Sequence, residues 1–335
     1  MIQKAFIIRL ALTAAILCLT SCKLNSTSTP QTADATCVAG RQCSSPALMI
    51  LGVQTDKMKV SFGTGSIVTD DRGTMRILTA GHVVNNPEAD LFLALPTRDP
   101  KWDHLPKQEF LTKVKASIRS GELDDFRIPQ IKLFPGIETP LVDAHKDLAF
   151  LNIPKGFDRA INEGKILPLA VNFKLNAEDL ANRILTRPND ESFSIVSAGI
   201  NDDGCNKGYM CVVELSKERI NQHLANQPPP SRSSVIKTPD SQTSAIRTER
   251  YALEFSEDIL KDHFSDQYPR LMPGDSGSPM ILIERDADYI IGVYHADSLS
   301  SPKLNTFTLI GDRPGIETIE DLEAQMERRI FPVCQ

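Results

Sequence analysis

Short apolar runs separated by glycine, proline and aspartate recur along most of this 335-residue chain. Among them are ALMILGV, MRILTA, DLFLALP, DLAFLNIP, SFSIVSAGI, MCVVEL, YALEFS, SPMILIE, DYIIGVYHA and NTFTLIG. Runs of this length with such punctuation predict strands, and many of them in series predict an all-β sandwich or barrel. Helical periodicity is scarce. The segment GIETIEDLEAQMERRI, from Gly315, predicts a closing helix, with acids early and Arg328 and Arg329 late to suit its dipole. Residues 156–164 and 176–184 are expected to hold a helical turn each. Residues 223–250 are polar, contain Pro228-Pro229-Pro230 and lack apolar periodicity, so they read as a long exposed loop. No internal repeat is visible.

The first residues follow a different pattern. Lys4 and Arg9 precede an apolar run from Leu10 to Leu19, and Thr20-Ser21-Cys22 follows. The run is short for a bilayer span and has the layout of an export signal. Leu19-Thr20-Ser21-Cys22 resembles the bacterial lipobox, which implies cleavage before Cys22 and its lipidation. Several acyl chains anchor a protein stably in a lipid bilayer where one does not. Lys23 stands where an inner-membrane retention signal has Asp, which points to the outer membrane. Residues 1–21 are therefore read as signal peptide and 22–46, rich in Ser, Thr, Gln and Ala, as a tether.

An oxidising compartment makes disulfides expected. Cys205 and Cys211 flank NKGYM, a hairpin end, and form the favoured pair. The pairing of Cys37, Cys43 and Cys334 stays open, and no Cys/His spacing fits a zinc site. Charged residues make up 24% of the chain and the net charge is −6, with no long basic run, which argues against nucleic acid as the main partner.

The candidate chemistry centres on Pro273-Gly274-Asp275-Ser276-Gly277-Ser278-Pro279. A serine hydroxyl is a weak nucleophile that needs a base, and the base needs an orienting group. Of six histidines, His82 stands out in ILTAGHVV, where small neighbours let the imidazole lie against the backbone and face a cleft. Asp147 heads the apolar run DLAFL, where an unpaired carboxylate is costly to bury and a histidine N–H is a good partner. Glycines flanking Ser276 allow a turn that aims the N–H groups of Gly274 and Ser276 at one point, an oxyanion hole.

Together, and in the order His, Asp, Ser, ILTAGHVV, DLAFL and GDSGSP resemble the trypsin/chymotrypsin-like serine proteases, over about residues 47–330. The resemblance implies His82 as general base, Asp147 as its orienter and Ser276 as nucleophile, with no metal or cofactor. It implies two antiparallel six-stranded β-barrels, about 47–160 and 161–330, with the site between them. Long spacings between the three motifs fit insertions in surface loops at 97–125 and 200–250. It also implies roles for Arg270, at the base of the substrate pocket, and His295, on its wall, which together favour an acidic substrate residue. No IVGG-like start is present to pair with Asp275, so Asp275 is expected to face solvent or to bond local backbone. The α/β-hydrolase elbow G-x-S-x-G is excluded because position 278 is Ser, and GDS-type esterases place their serine near the N-terminus. The expected activity is a membrane-anchored serine endopeptidase acting on protein or peptide. A non-catalytic binding module of the same fold and an esterase are the alternatives.

Overall fold

The computed structural model describes residues 47–327 apart from 55–58, 87, 97–126, 129–130, 135–139, 163–165, 200–210, 227–244, 250, 263–270, 272–273, 286, 298–303 and 312. The signal, the lipobox Cys22, the tether, Arg270, Cys37, Cys43, Cys205 and Cys334 lie outside the described residues. For Cys211 only the backbone is described.

Among the described residues the chain is mainly β-sheet with few helices, as the apolar runs predict. The first half contains β1 (Leu48–Gln54), β2 (Lys59–Thr69), β3 (Met75–Ala80), the short helix α1 (Gly81–Val84), β4 (Asp90–Pro96), β5 (Arg127–Ile128), β6 (Ile131–Phe134), β7 (Leu141–Asp143) and β8 (Leu148–Leu151). Helix α2 (Asp158–Asn162), strand β9 (Leu169–Val171) and helix α3 (Ala177–Thr186) follow. The second half contains β10 (Phe193–Gly199), β11 (Cys211–Leu215), α4 (Lys217–Asn226), β12 (Ile246–Glu249), β13 (Ala252–Ser256), β14 (Leu260–Asp262), β15 (Pro279–Glu284), β16 (Asp288–Asp297) and β17 (Leu304–Leu309), and α5 (Ile319–Glu327) closes the chain.

Strand pairing runs β7-β8-β3-β2-β1-β4-β6-β5 in the first half and β14-β11-β10-β15-β16-β17-β13-β12 in the second, every step antiparallel. Strand β9 joins the halves, pairing in parallel with β2 on one side and β16 on the other. Among the described residues neither ladder closes on itself: β5, β7, β12 and β14 each pair on one side only. The resemblance implied two six-stranded barrels; the described pairings form one open, continuous seventeen-stranded sheet.

The core explains the ladder order. Strand β1, LMILGVQ, is buried along its whole length, because it is flanked by β2 and β4 and covered on both faces. One buried cluster, built on Leu48, Ile50, Ile67, Ile77, Leu93 and Phe157, belongs to the first half. A second, built on Leu180, Phe193, Leu253, Phe255, Tyr294 and Phe307, belongs to the second. A third draws on both, from Leu51 and Phe150 to Val293 and Met326. Burying one such Leu or Phe side chain is worth about 1.5–3 kcal/mol, so residues from both halves contribute to one interior.

Helix α5 forms where expected. Thr318 and Asp321 cap its start reciprocally: the Asp321 N–H donates to Thr318 Oγ1 at 3.1 Å, and the Thr318 N–H donates to Asp321 Oδ2 at 3.0 Å. Helices α2 and α3 occupy the stretches where helical turns were expected, and α3 is capped by Asn176, which accepts from the Asp179 N–H at 2.7 Å. Helix α4 is a difference. The strand-and-loop reading of 200–250 missed it, although Ser216 caps it, accepting from the Arg219 N–H at 3.3 Å, and Ile220 is buried one turn in. The segment 223–250 is likewise not one loop: α4 runs to Asn226, and β12 pairs with β13 from Ile246 to Glu249.

Candidate active site

His82 is the second residue of α1, directly after β3. The Gly81 N–H donates to the Asp147 carbonyl at 2.9 Å, so the chain turning into α1 is stitched to the turn that leads into β8. A side chain at position 81 would press on Asp147 Oδ1 and Val142, which is why a glycine precedes the histidine.

Asp147 sits at φ +50, the one positive φ at a non-glycine residue among those described. Such backbone costs of order 1–3 kcal/mol and persists where the surroundings over-determine it. Here they do. Asp147 Oδ1 accepts the His82 N–H at 2.7 Å, and Oδ2 lies 2.6 Å from His82 Nδ1. The turn itself is braced by Asp143 at the end of β7, which accepts the His145 N–H at 3.2 Å and faces the buried guanidinium of Arg313 at 3.8 Å.

A carboxylate only accepts, so His82 donates from Nδ1 and keeps its lone pair on Nε2. Burial pushes the Asp147 carboxyl up, but the ring hydrogen bond from His82, the charges of His82 and His295 and the His82 N–H together outweigh it and hold the group below its ordinary value. Asp147 is therefore anionic at neutral pH. The site has an ionised acceptor, an imidazole in a fixed tautomer, and an outward-facing basic nitrogen on a side chain that is 48% exposed.

The turn bearing Ser276 packs against the same strand ends. The Thr64 N–H of β2 donates to the Ser276 carbonyl at 2.8 Å, and Thr64 Oγ1 donates to the Gly274 carbonyl at 3.0 Å. Gly277 adopts φ +87 and lies flush against Thr64, Thr79 and the N–H of Ala80, two residues before His82. Gly63 touches both Val83 and the Ser276 carbonyl, so a single point of β2 separates α1 from the serine turn. The Gly277 N–H donates to the Tyr294 carbonyl at 2.7 Å, which fixes the turn to β16. The structure thus brings His82, Asp147 and the Ser276 turn to one corner. Among the described residues no hydrogen bond joins Ser276 to His82; such contacts commonly tighten only when substrate is bound. Among the described residues neither the Gly274 nor the Ser276 N–H donates to an acceptor.

Of the two alternatives for Asp275, facing solvent is overturned: it is 1% exposed, and its carboxylate lies against Gly199 of β10. His295, read as a wall of the substrate pocket, has Nε2 at 3.3 Å from Asp147 Oδ2, with its ring centroid 6.0 Å from that of His82. The cause is a β-bulge. In the β16–β17 pairing Tyr294 opposes Phe307 and Ala296 opposes Thr306, so His295 is the extra residue and its side chain is re-aimed at the carboxylate.

No protein-family profile and no curated protein matches the sequence. Among solved structures, similarity is found to the thermostable serine protease AL20 from an extremophilic microorganism, at 9% identity and a TM-score of 0.41, covering 80% of this chain and 92% of that one. The protease Anisep from Arthrobacter nicotinovorans is similar at 12% identity and a TM-score of 0.39, covering 80% and 91%. The Rv3671c protease from M. tuberculosis, in its active form, is similar at 15% identity and a TM-score of 0.38, covering 90% and 87%.

Proposed function

We propose that this chain is a serine endopeptidase. The observation that carries the proposal is the doubly bonded His82–Asp147 couple, 2.6 and 2.7 Å, at the corner where the Ser276 turn packs. In the cycle, His82 Nε2 takes the proton of the Ser276 hydroxyl as Oγ attacks the scissile carbonyl. The tetrahedral oxyanion is held by the N–H groups of Gly274 and Ser276, one of which is worth about 10²–10³ in rate. His82 then gives its proton to the leaving amine and the acyl-enzyme forms. Water, deprotonated by the same nitrogen, releases the acid. Asp147 stays ionised throughout and steadies the imidazolium.

The scaffold of this proposal is the two-lobed trypsin-like domain over 47–330, whose halves supply His82 with Asp147 and Ser276 respectively. Protein or peptide is the substrate, and Arg270 with His295 is assigned the preference for an acidic residue at the cleaved position. Lipidation at Cys22 holds the enzyme to a membrane, and Cys205–Cys211 is its proposed disulfide.

Active-site labelling tests the reading. A fluorophosphonate probe should modify the folded protein once, on the peptide containing Ser276, and Ser276→Ala should remove the label. Folded protein that takes no label is a binding module and not a hydrolase. Labelling combined with rapid ester turnover and no cleavage of casein or peptides would make it an esterase.

A further inference from the structure

We propose that His82, Asp147 and His295 form a binding site for a transition-metal cation of the Zn²⁺ class, and that occupancy of this site switches the His82 base off. The ligand-capable atoms of the three residues all lie within 4.8 Å of one another. His82 Nδ1 and His295 Nε2 approach the same carboxylate oxygen, at 2.6 and 3.3 Å. Ligands around a cation bound at about 2.0–2.2 Å stand about 3.3 Å apart, so the His295–Asp147 distance already fits, the His82–Asp147 distance needs to open by about 0.7 Å, and the two imidazole nitrogens need to draw in from at most 4.8 Å.

The donor set is of the right chemistry. Two imidazoles and a carboxylate suit Zn²⁺, with one position left for water. The side chains of His82 and His295 are 48% and 40% exposed, so a hydrated cation has a path in, while Asp147 at 14% is the sheltered anchor. The bulge at His295 is the second observation. A regular β16 would alternate its side chains and carry position 295 elsewhere; the extra residue turns this imidazole onto Asp147. The catalytic cycle above gives His295 no task.

The electronic consequence follows from the tautomers. A neutral imidazole carries one ring proton. For His82 to donate its Nδ1 lone pair to a cation, that proton must move, through water, to Nε2. His295 binds through Nε2 and carries its ring proton on Nδ1. No proton is gained or lost, and two N–metal bonds and one O–metal bond replace the His82 N–H···O bond and the close approach of His295 to Asp147. With its proton on Nε2, His82 has nothing left to accept one from Ser276. This inhibitory half rests on the proposed peptidase; the binding half does not.

The experiment is a Co²⁺ titration of the purified full chain, read by visible d–d absorption, with Zn²⁺ as competitor. One equivalent should bind with the spectrum of a four-coordinate site. His295→Gln and His82→Gln, each checked for folding by circular dichroism, should weaken binding at least tenfold, and Ser276→Ala should bind like the unsubstituted chain. Absence of binding, or unsubstituted affinity in either folded histidine variant, overturns the site. Fluorophosphonate labelling is then timed with and without saturating Zn²⁺. Labelling that stops with Zn²⁺ and returns on chelation supports the switch, and labelling at an unchanged rate in saturated protein overturns it. Failure to label even without metal is the failure of the peptidase reading and leaves the Co²⁺ result standing by itself.

Discussion

Asp147 accepts the backbone N–H of His82 on one oxygen, and its other oxygen stands 2.6 Å from the His82 ring nitrogen and 3.3 Å from that of His295. An asparagine there has one acceptor and one donor, so it cannot accept from both the backbone and the ring of His82. It would turn His82 to the wrong tautomer or lose it. Asp147→Asn should lower kcat by about 10⁴, the loss expected when a Ser-His-Asp triad loses its carboxylate to an amide, with far less effect on KM. The same residue makes a prediction about acid stability. Its pKa in the fold is held below the ordinary 3.8 despite burial, so its contribution to stability is complete above 3.8 and is lost as pH falls through the lower folded value. Urea melts below pH 4 should therefore show the unsubstituted chain losing more stability per pH unit than Asp147→Asn. Equal slopes would mean that the carboxylate is not so held.

At the scale of single elements, the serine turn depends on a glycine that is not interchangeable. Gly277 combines φ +87 with direct contact on Thr64 and Thr79. Gly277→Ala meets both a left-handed backbone, which costs about 1–3 kcal/mol, and a steric overlap with β2 and β3. Thermal or urea unfolding should register a loss at least that large, with the Ser276 label lost as well. The elements also divide by how far they can be read from sequence. His82 after small residues, Asp147 at the head of an apolar strand and Ser276 between glycines are each local patterns, and each is legible. The caps of α3 and α5 are local too, and the Ser216 cap of α4 was an available signal that the polar composition of 223–250 obscured. His295 and Asp275 are not local. A period-two reading of β16 carries no sign of the bulge that redirects His295, and the burial of Asp275 is decided by Gly199, on a strand far away in sequence. Closure of the two ladders is likewise a long-range property that alternating strands do not specify.

The whole molecule makes the site from its two halves. Thr64 of the first half holds Ser276 and Gly274 of the second, and Arg313, after β17, stands 3.8 Å from Asp143 beneath the turn of Asp147. Arg313 also donates to the carbonyls of Ile310 and Leu309 at 2.9 Å each and lies over the Tyr251 ring at 4.7 Å. Both members of the Asp143–Arg313 pair are almost wholly buried, so removing one partner strands charge in the interior. Arg313→Met should cost about 3–5 kcal/mol in a urea melt, and combining it with Asp143→Leu should recover part of that loss. An additive double variant would show that the two residues are not coupled. The central claim is that Ser276, activated by His82, cleaves peptide bonds. The most direct measurement is the turnover of casein and a peptide library by the purified chain beside its folded Ser276→Ala variant. The unsubstituted chain should cut both, and Ser276→Ala should fall by a factor on the order of 10⁶. Equal cleavage by the two proteins, or none by the folded unsubstituted chain, would contradict it.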